Sequence, residues 1–136
     1  MRYLGLDLGT KTLGLAISDK FGTIASPYKV LRYTDIDLLI KELITIIEQE
    51  KIDELVLGLP KNMNGSLGFA SVRSTKFKEM LEKKISNPIH LVDERLSTKE
   101  AENILIYADI SRKKRKKVID GMAAAIILDT YLKMKG

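Results

Sequence analysis

The run Tyr3-Leu4-Gly5-Leu6-Asp7-Leu8 reads as a β-strand apolar enough to be buried on both faces, yet it contains an aspartate. A strand covered on both sides belongs to a sheet packed between helices, the arrangement of α/β folds. The same run sets a problem for its acid. An ionised carboxylate among leucines loses hydration worth several kcal/mol unless a cation, a metal or a set of donors replaces the water. Something positive must therefore answer Asp7.

Gly9-Thr10-Lys11 is a tight turn into a second short apolar strand, Thr12 to Ser18, so the chain opens with a hairpin. A third strand is expected from Ile24 to Leu31, where Pro27 restricts it to a sheet edge or an irregular start. Asp35 is a reasonable N-cap, and Ile36, Leu39, Ile40, Leu43, Ile44 and Ile47 then recur at helical spacing to about Glu50. Glu54 to Leu59 reads as a strand closed by Pro60, Phe69 to Lys84 as a helix, and Ile89 to Asp93 as a returning strand. Lys61 to Gly68 is the most loop-like stretch, and Ser97-Thr98-Lys99-Glu100 forms a capping box for a short helix to about Tyr107. A final helix is expected from Lys113 to Lys135, apolar nearly all round from Val118 to Leu132. The order predicts an α/β fold: one mixed five-stranded sheet, three antiparallel strands first and then βαβ, with helices on both faces. No repeat interrupts it, and 136 residues fit a single domain spanning 1–136.

Composition removes several classes. No apolar run approaches the ~18 residues of a membrane span, and the N-terminus enters a core strand without a basic segment and cleavage site, so a soluble, cytoplasmic protein with no membrane partner is expected. Cysteine is absent, which excludes disulfides and thiolate zinc sites, and a single histidine disfavours a zinc cluster. Lysine and arginine number 23 against 18 acids, a balance of +5 that favours a polyanionic partner. Six cations, Arg112, Lys113, Lys114, Arg115, Lys116 and Lys117, stand together just before Asp120. They read as a solvated surface segment or as a contact to a phosphate backbone, and the second reading is preferred because of the acid beside them.

Two further acidic sites resemble that of Asp7. Asp93-Glu94 ends the run Ile89-His90-Leu91-Val92, and Asp120 opens the apolar stretch Met122 to Leu128. Any one of these acids is equally well a cap or a salt-bridged carboxylate. Three from separate segments of one small domain point to a cluster for Mg²⁺ or Mn²⁺, whose hard character suits carboxylate oxygen. Two such ions about 4 Å apart activate a water and stabilise the leaving oxygen in an in-line attack on a phosphodiester.

Arg73 and Arg95 are candidate phosphate contacts, although Arg95 serves equally as an ion-pair partner for the acids beside it. Lys11 either reaches substrate or covers the end of the sheet, and His90 reads as a packed core residue. The five tyrosines share no spacing that argues for base stacking. Gly9-Thr10-Lys11-Thr12-Leu13-Gly14 is not a Walker loop, which needs Lys-Ser/Thr after its second glycine and a helix there. No Gly-x-Gly-x-x-Gly joins a strand to a helix, so a dinucleotide site has no support.

Four blocks, Gly5 to Asp19, Gly58-Leu-Pro60 with Asn62 and Gly65, Asp93-Glu-Arg-Leu-Ser-Thr98, and Asp120-Gly-Met-Ala-Ala-Ala125, resemble the YqgF family, also called RuvX, in order and spacing from end to end. The resemblance implies the RNase H-like fold. It also implies a Holliday-junction-resolvase-like nuclease, associated with processing of the small-subunit (16S) ribosomal RNA precursor. It places Asp7 on the first, central strand, an acid of the Asp93-Glu94 pair at the end of the fourth sheet strand of that core, and Asp120 at the C-terminal helix, together the metal-binding acids. Of the pair, Glu94 is preferred for its longer arm, since alternation admits only one of the two. One departure stands out. RuvC-type resolvases carry a second acid three residues after the helix aspartate, where this chain has Ala123.

The leading expectation is thus a metal-dependent endonuclease acting on structured RNA, with ribosomal precursor particles as partners. Cleavage of four-way DNA junctions is the first alternative and needs a dimer, so monomer and homodimer both stay open. A non-catalytic RNA-binding assembly factor is the second. Asp-Leu-Gly-Thr-Lys also resembles the phosphate turn of actin-like ATPases, which need two such lobes where this chain supplies one.

Overall fold

The computed structural model describes residues 1–59, 68–93 and 112–135, with 69, 70 and 112–121 described by their backbone alone. The expected loop over 61–67 and the capping-box helix to Tyr107 lie outside the described residues.

Strands β1 (Tyr3–Leu8), β2 (Thr12–Ser18) and β3 (Ala25–Arg32) form the antiparallel meander, and β4 (Glu54–Leu59) and β5 (Ile89–Asp93) add to it in parallel. The sheet order is β3-β2-β1-β4-β5, so the strand carrying Asp7 is central. Pro27 cannot donate to a ladder, and it sits on the edge strand β3. There the pairing skips Tyr28: Leu15 faces Lys29 and Ala16 faces Pro27, a bulge that absorbs the irregularity. Strand β3 starts one residue later than Ile24, because the Ile24 amide donates to Asp19 Oδ1 at 2.9 Å. The Thr23 amide and hydroxyl also donate to Asp19, each at 2.8 Å. These bonds, led by that of Ile24, hold the Asp19 carboxyl down to about 2.

Among the described residues, three helices cover the sheet: α1 (Ile36–Gln49), α2 (Phe69–Glu82) and α3 (Arg112–Lys135). Asp35 caps α1 as expected, its carboxylate accepting from the Asp37 amide at 2.9 Å. Leu39, Ile40, Leu43, Ile46 and Ile47 form its buried stripe. Pleating sorts the strand residues between two layers. Leu4, Leu6, Leu8, Leu13, Leu15, Leu55 and Leu57 join the α1 stripe and Phe77 and Leu81 of α2 in one core cluster. Tyr3, Ala16, Val56 and Val92 meet Ala124, Ala125, Ile127, Leu128 and Leu132 of α3 in the other. Helices thus lie on both faces, as the apolar character of β1 demanded.

Candidate metal and nucleic-acid site

Asp7 belongs to the α3 face, since it alternates with Leu6 and Leu8 and follows Tyr3 and Gly5. Its neighbours at the same level are glycines. Gly14 of β2 pairs with it directly, and Gly58 of β4 stands one step beyond the Leu6 to Leu57 pair, with Val92 of β5 next across. Neither adjacent strand therefore lays a side chain beside the carboxylate, which is half-buried. Among the described residues, no hydrogen bond or ion pair engages it.

Gly5 determines how close α3 comes. A Cβ there stands 2.8 Å from Leu128 Cβ and 2.9 Å from the Ala124 carbonyl oxygen, so only glycine admits the helix at this height. The helix runs antiparallel to β1, with the Tyr131 ring 5.8 Å from that of Tyr3 and Ala124 and Leu128 over Gly5. Two strand residues advance ~6.7 Å and four helical residues ~6 Å. One more turn of α3 toward its N-terminus therefore brings the backbone of Asp120 level with Asp7.

Asp93 is the last residue of β5, the fifth strand and not the fourth. His90 stacks on Tyr131 and Val92 packs among α3 residues, whereas Ile89 packs into the opposite cluster. Asp93, paired with Leu59 across the ladder, is odd in this register and so faces away from Asp7. The pleat therefore argues against Asp93 as a ligand at the level of Asp7. Glu94 and Arg95 lie outside the described residues. No group of three acids or histidines converges among the described residues.

Lys11 is exposed on the turn and lines an open cleft of about 560 Å³ with Thr10, Arg32, Tyr33 and Thr34. Arg73 of α2 lies close enough for its charge to act on the Tyr33 phenol. Burial raises that phenol's pKa and the Arg73 charge opposes the rise. The basic run Arg112 to Lys117 makes up the first six residues of α3, ending three residues before Asp120. Arg32 and Tyr33 carry no local signal in the sequence, since the five tyrosines share no spacing. The antiparallel register of Thr12 with Arg32 is the signal that places them beside the hairpin turn.

His90 departs from the expected core role. It is half-buried, with Nε2 2.5 Å from Glu54 Oε1 and its ring 4.7 Å from that of Tyr131 at 19°. Ala123, at the position of the missing second acid, is 3% exposed and offers no ligand atom. No helix among the described residues is long and apolar enough to cross a membrane.

The RuvX family model, described as Holliday junction resolvase, matches residues 1–134. A protein of Geobacillus sp. strain WCH70, named as a candidate pre-16S rRNA nuclease, is 50% identical over 137 residues, 99% of each chain. One of the same name from Bacillus subtilis strain 168 is 49% identical over 134 residues, 97% of each. Among solved structures, Thermus thermophilus RuvC in complex with a Holliday junction substrate superposes with a TM-score of 0.62, covering 98% of this chain and 96% of that one. The Fowlpox virus resolvase with junction DNA gives 0.59 and 99% of each. Both are 14% identical to this chain and attest a shared RNase H-like fold.

Proposed function

Because the chain belongs to the RuvX family, we propose that it is a divalent-metal-dependent endonuclease that cuts structured RNA, namely the small-subunit (16S) ribosomal RNA precursor. Asp7, Glu94 and Asp120 are its metal ligands in this reading. The observation that carries it is the half-buried Asp7 carboxylate, set between two glycines and without a cation among the described residues. A hard oxygen donor in that setting fits Mg²⁺ or Mn²⁺, which need few protein ligands and leave room for water and phosphate.

When bound, the ion supplies a water of lowered pKa and neutralises charge on the phosphate under attack. The chain's own residues do the rest. Gly5 holds α3 close enough for position 120 to serve the same site as Asp7, and Gly14 and Gly58 leave the space through which a phosphodiester approaches. Lys11 and Arg73, with Arg95 and the run Arg112 to Lys117, hold the flanking phosphates. The basic run supports this reading by its placement over the first six residues of α3, since positive charge at the positive end of a helix dipole is unfavourable. A polyanion in that place reverses the sign of the interaction.

The test is cleavage of end-labelled 16S precursor and of a four-way DNA junction with Mg²⁺ or Mn²⁺, by wild type, Asp7→Asn and Asp120→Asn. Loss of RNA cleavage by about 10³-fold in each variant, equivalent to about 4 kcal/mol of barrier, is expected. Chelation with EDTA is expected to abolish it in the wild type. RNA cleavage unaffected by both substitutions refutes the metal site. Junction cleavage without RNA cleavage transfers the same site to DNA, and RNA binding without any cleavage leaves an assembly factor.

A further inference from the structure

The cleft at the hairpin turn is built for a particular kind of ligand. It is lined by two cations, Lys11 and Arg32, and by the hydroxyls of Thr10 and Thr34, and among the described residues no carboxylate lines it. The next residue along the chain, Asp35, has its carboxylate engaged in capping α1. Arg73 adds a third positive charge from α2, felt at the Tyr33 phenol on the cleft wall. The walls are also fixed. Tyr33 donates its hydroxyl to the Gly9 carbonyl, the Tyr33 amide donates to the Lys11 carbonyl at 3.0 Å, and the Gly9 amide donates to the Thr12 carbonyl at 2.8 Å. Two of these bonds tie the end of β3 to the turn that follows Asp7 and the third closes the turn itself, so the cations sit on a backbone held before any ligand arrives.

Openness argues against a small metabolite, which sites of this size usually enclose. Position argues for the substrate strand. Thr10 is three residues beyond Asp7, at most about 10 Å along an extended chain. We infer that the cleft of Thr10, Lys11, Arg32, Tyr33 and Thr34 binds the RNA backbone at phosphates flanking the scissile one and sets which bond reaches Asp7. This rests on the nuclease reading for its substrate and adds Arg32 and Tyr33 to the surface that recognises it.

The experiment measures precursor-RNA binding against salt in the uncleaving Asp7→Asn background, by filter binding or fluorescence anisotropy. It compares a Lys11→Ala/Arg32→Ala variant with a Lys20→Ala/Lys51→Ala control. All four positions are exposed, so folding is spared, and Lys20 and Lys51 border a different depression shared with Glu50 and Asp53. Removing two phosphate contacts from a single strand flattens the slope of log K against log salt by roughly 1.4, and the control pair is expected to leave it unchanged. Equal slopes for the two double variants overturn the cleft. Flattening with a four-way DNA junction but not with RNA overturns its assignment to RNA. Binding is read with EDTA present, so cleavage that survives Asp7→Asn in Mg²⁺ sinks the metal site while this comparison still stands.

Discussion

The two faces of the sheet solve opposite problems with the same five strands. Under α1 and α2, the strands present leucine after leucine, and the helices answer with Leu39, Leu43, Phe77 and Leu81 in a layer that excludes water. Under α3 the cluster is smaller, and although Tyr3, Val92, Ile127, Leu128 and Leu132 belong to it, the strands present Gly5, Ala16 and Val56 near its middle and the helix answers with Ala124 and Ala125. Large side chains hold a helix at a distance and bury much apolar area; small ones let backbones approach and bury little. The first face therefore supplies most of the stability, and the second trades burial for position. Its return is that a helix lies close enough to a central strand to carry an acid to the level of Asp7.

The largest expected effect tests the first half of that contrast. Leu57 is fully buried at the centre of the leucine face, and Leu57→Ala is expected to cost about 3–5 kcal/mol, read from urea melts. That is a large fraction of a typical domain's stability. Cleavage per folded molecule is expected to stay near wild type, since nothing on the α3 face moves. A cost below about 1 kcal/mol would mean that the leucine layer is not the main support.

Gly5→Ala probes the other face with a single added carbon. Its Cβ meets Leu128 Cβ and the Ala124 carbonyl at distances where something must shift, and neither is the free end of a flexible side chain. Overpacking of this kind costs about 1–3 kcal/mol, less than the leucine truncation. Its effect on catalysis is expected to be greater, because a shift of ~1 Å in an acid's position lowers a rate by about 10²-fold. Melts and single-turnover cleavage on the two variants separate the faces: Leu57→Ala loses stability alone, and Gly5→Ala loses both. Equal rates per folded molecule in the two variants would break the distinction.

Much of this arrangement was legible in the chain, because the unbroken apolar run of β1 and the 3.6-residue period in α1 are direct consequences of burial. Pro27 announced an edge strand through chemistry alone, as a residue with no amide hydrogen to donate. What stayed hidden depends on register. Asp93 and Glu94 are adjacent in sequence, and only the placement of His90 and Val92 against α3 shows that Asp93 faces the other layer. The pinning of the turn by Tyr33 joins residues 24 positions apart, for which no local pattern exists. Helix ends also fall where competing partners draw them. Expected to reach Lys84, α2 stops at Glu82, where the Lys84 and Ile85 amides both turn back to the Leu81 carbonyl.

His90 marks the smallest effect and tests how far the proposed site extends along the α3 face. It was unreadable for the same reason, since its partners Glu54 and Tyr131 come from β4 and α3. Stacking of this kind contributes about 0.5–1.5 kcal/mol beyond burial, and a half-buried hydrogen bond to a carboxylate adds a comparable amount at most. His90→Ala is accordingly expected to cost about 1 kcal/mol and His90→Phe about half as much, because phenylalanine keeps the stack and loses only the bond to Glu54. Position 90 pairs with Val56, two residues before the level of Asp7, at the end of the sheet away from the hairpin turn. Both variants are therefore expected to cleave RNA within twofold of wild type. If His90→Phe stays folded yet loses cleavage, the functional surface extends down the face to the Glu54 and Tyr131 stack, and the α3 face is catalytic along its length instead of at one end.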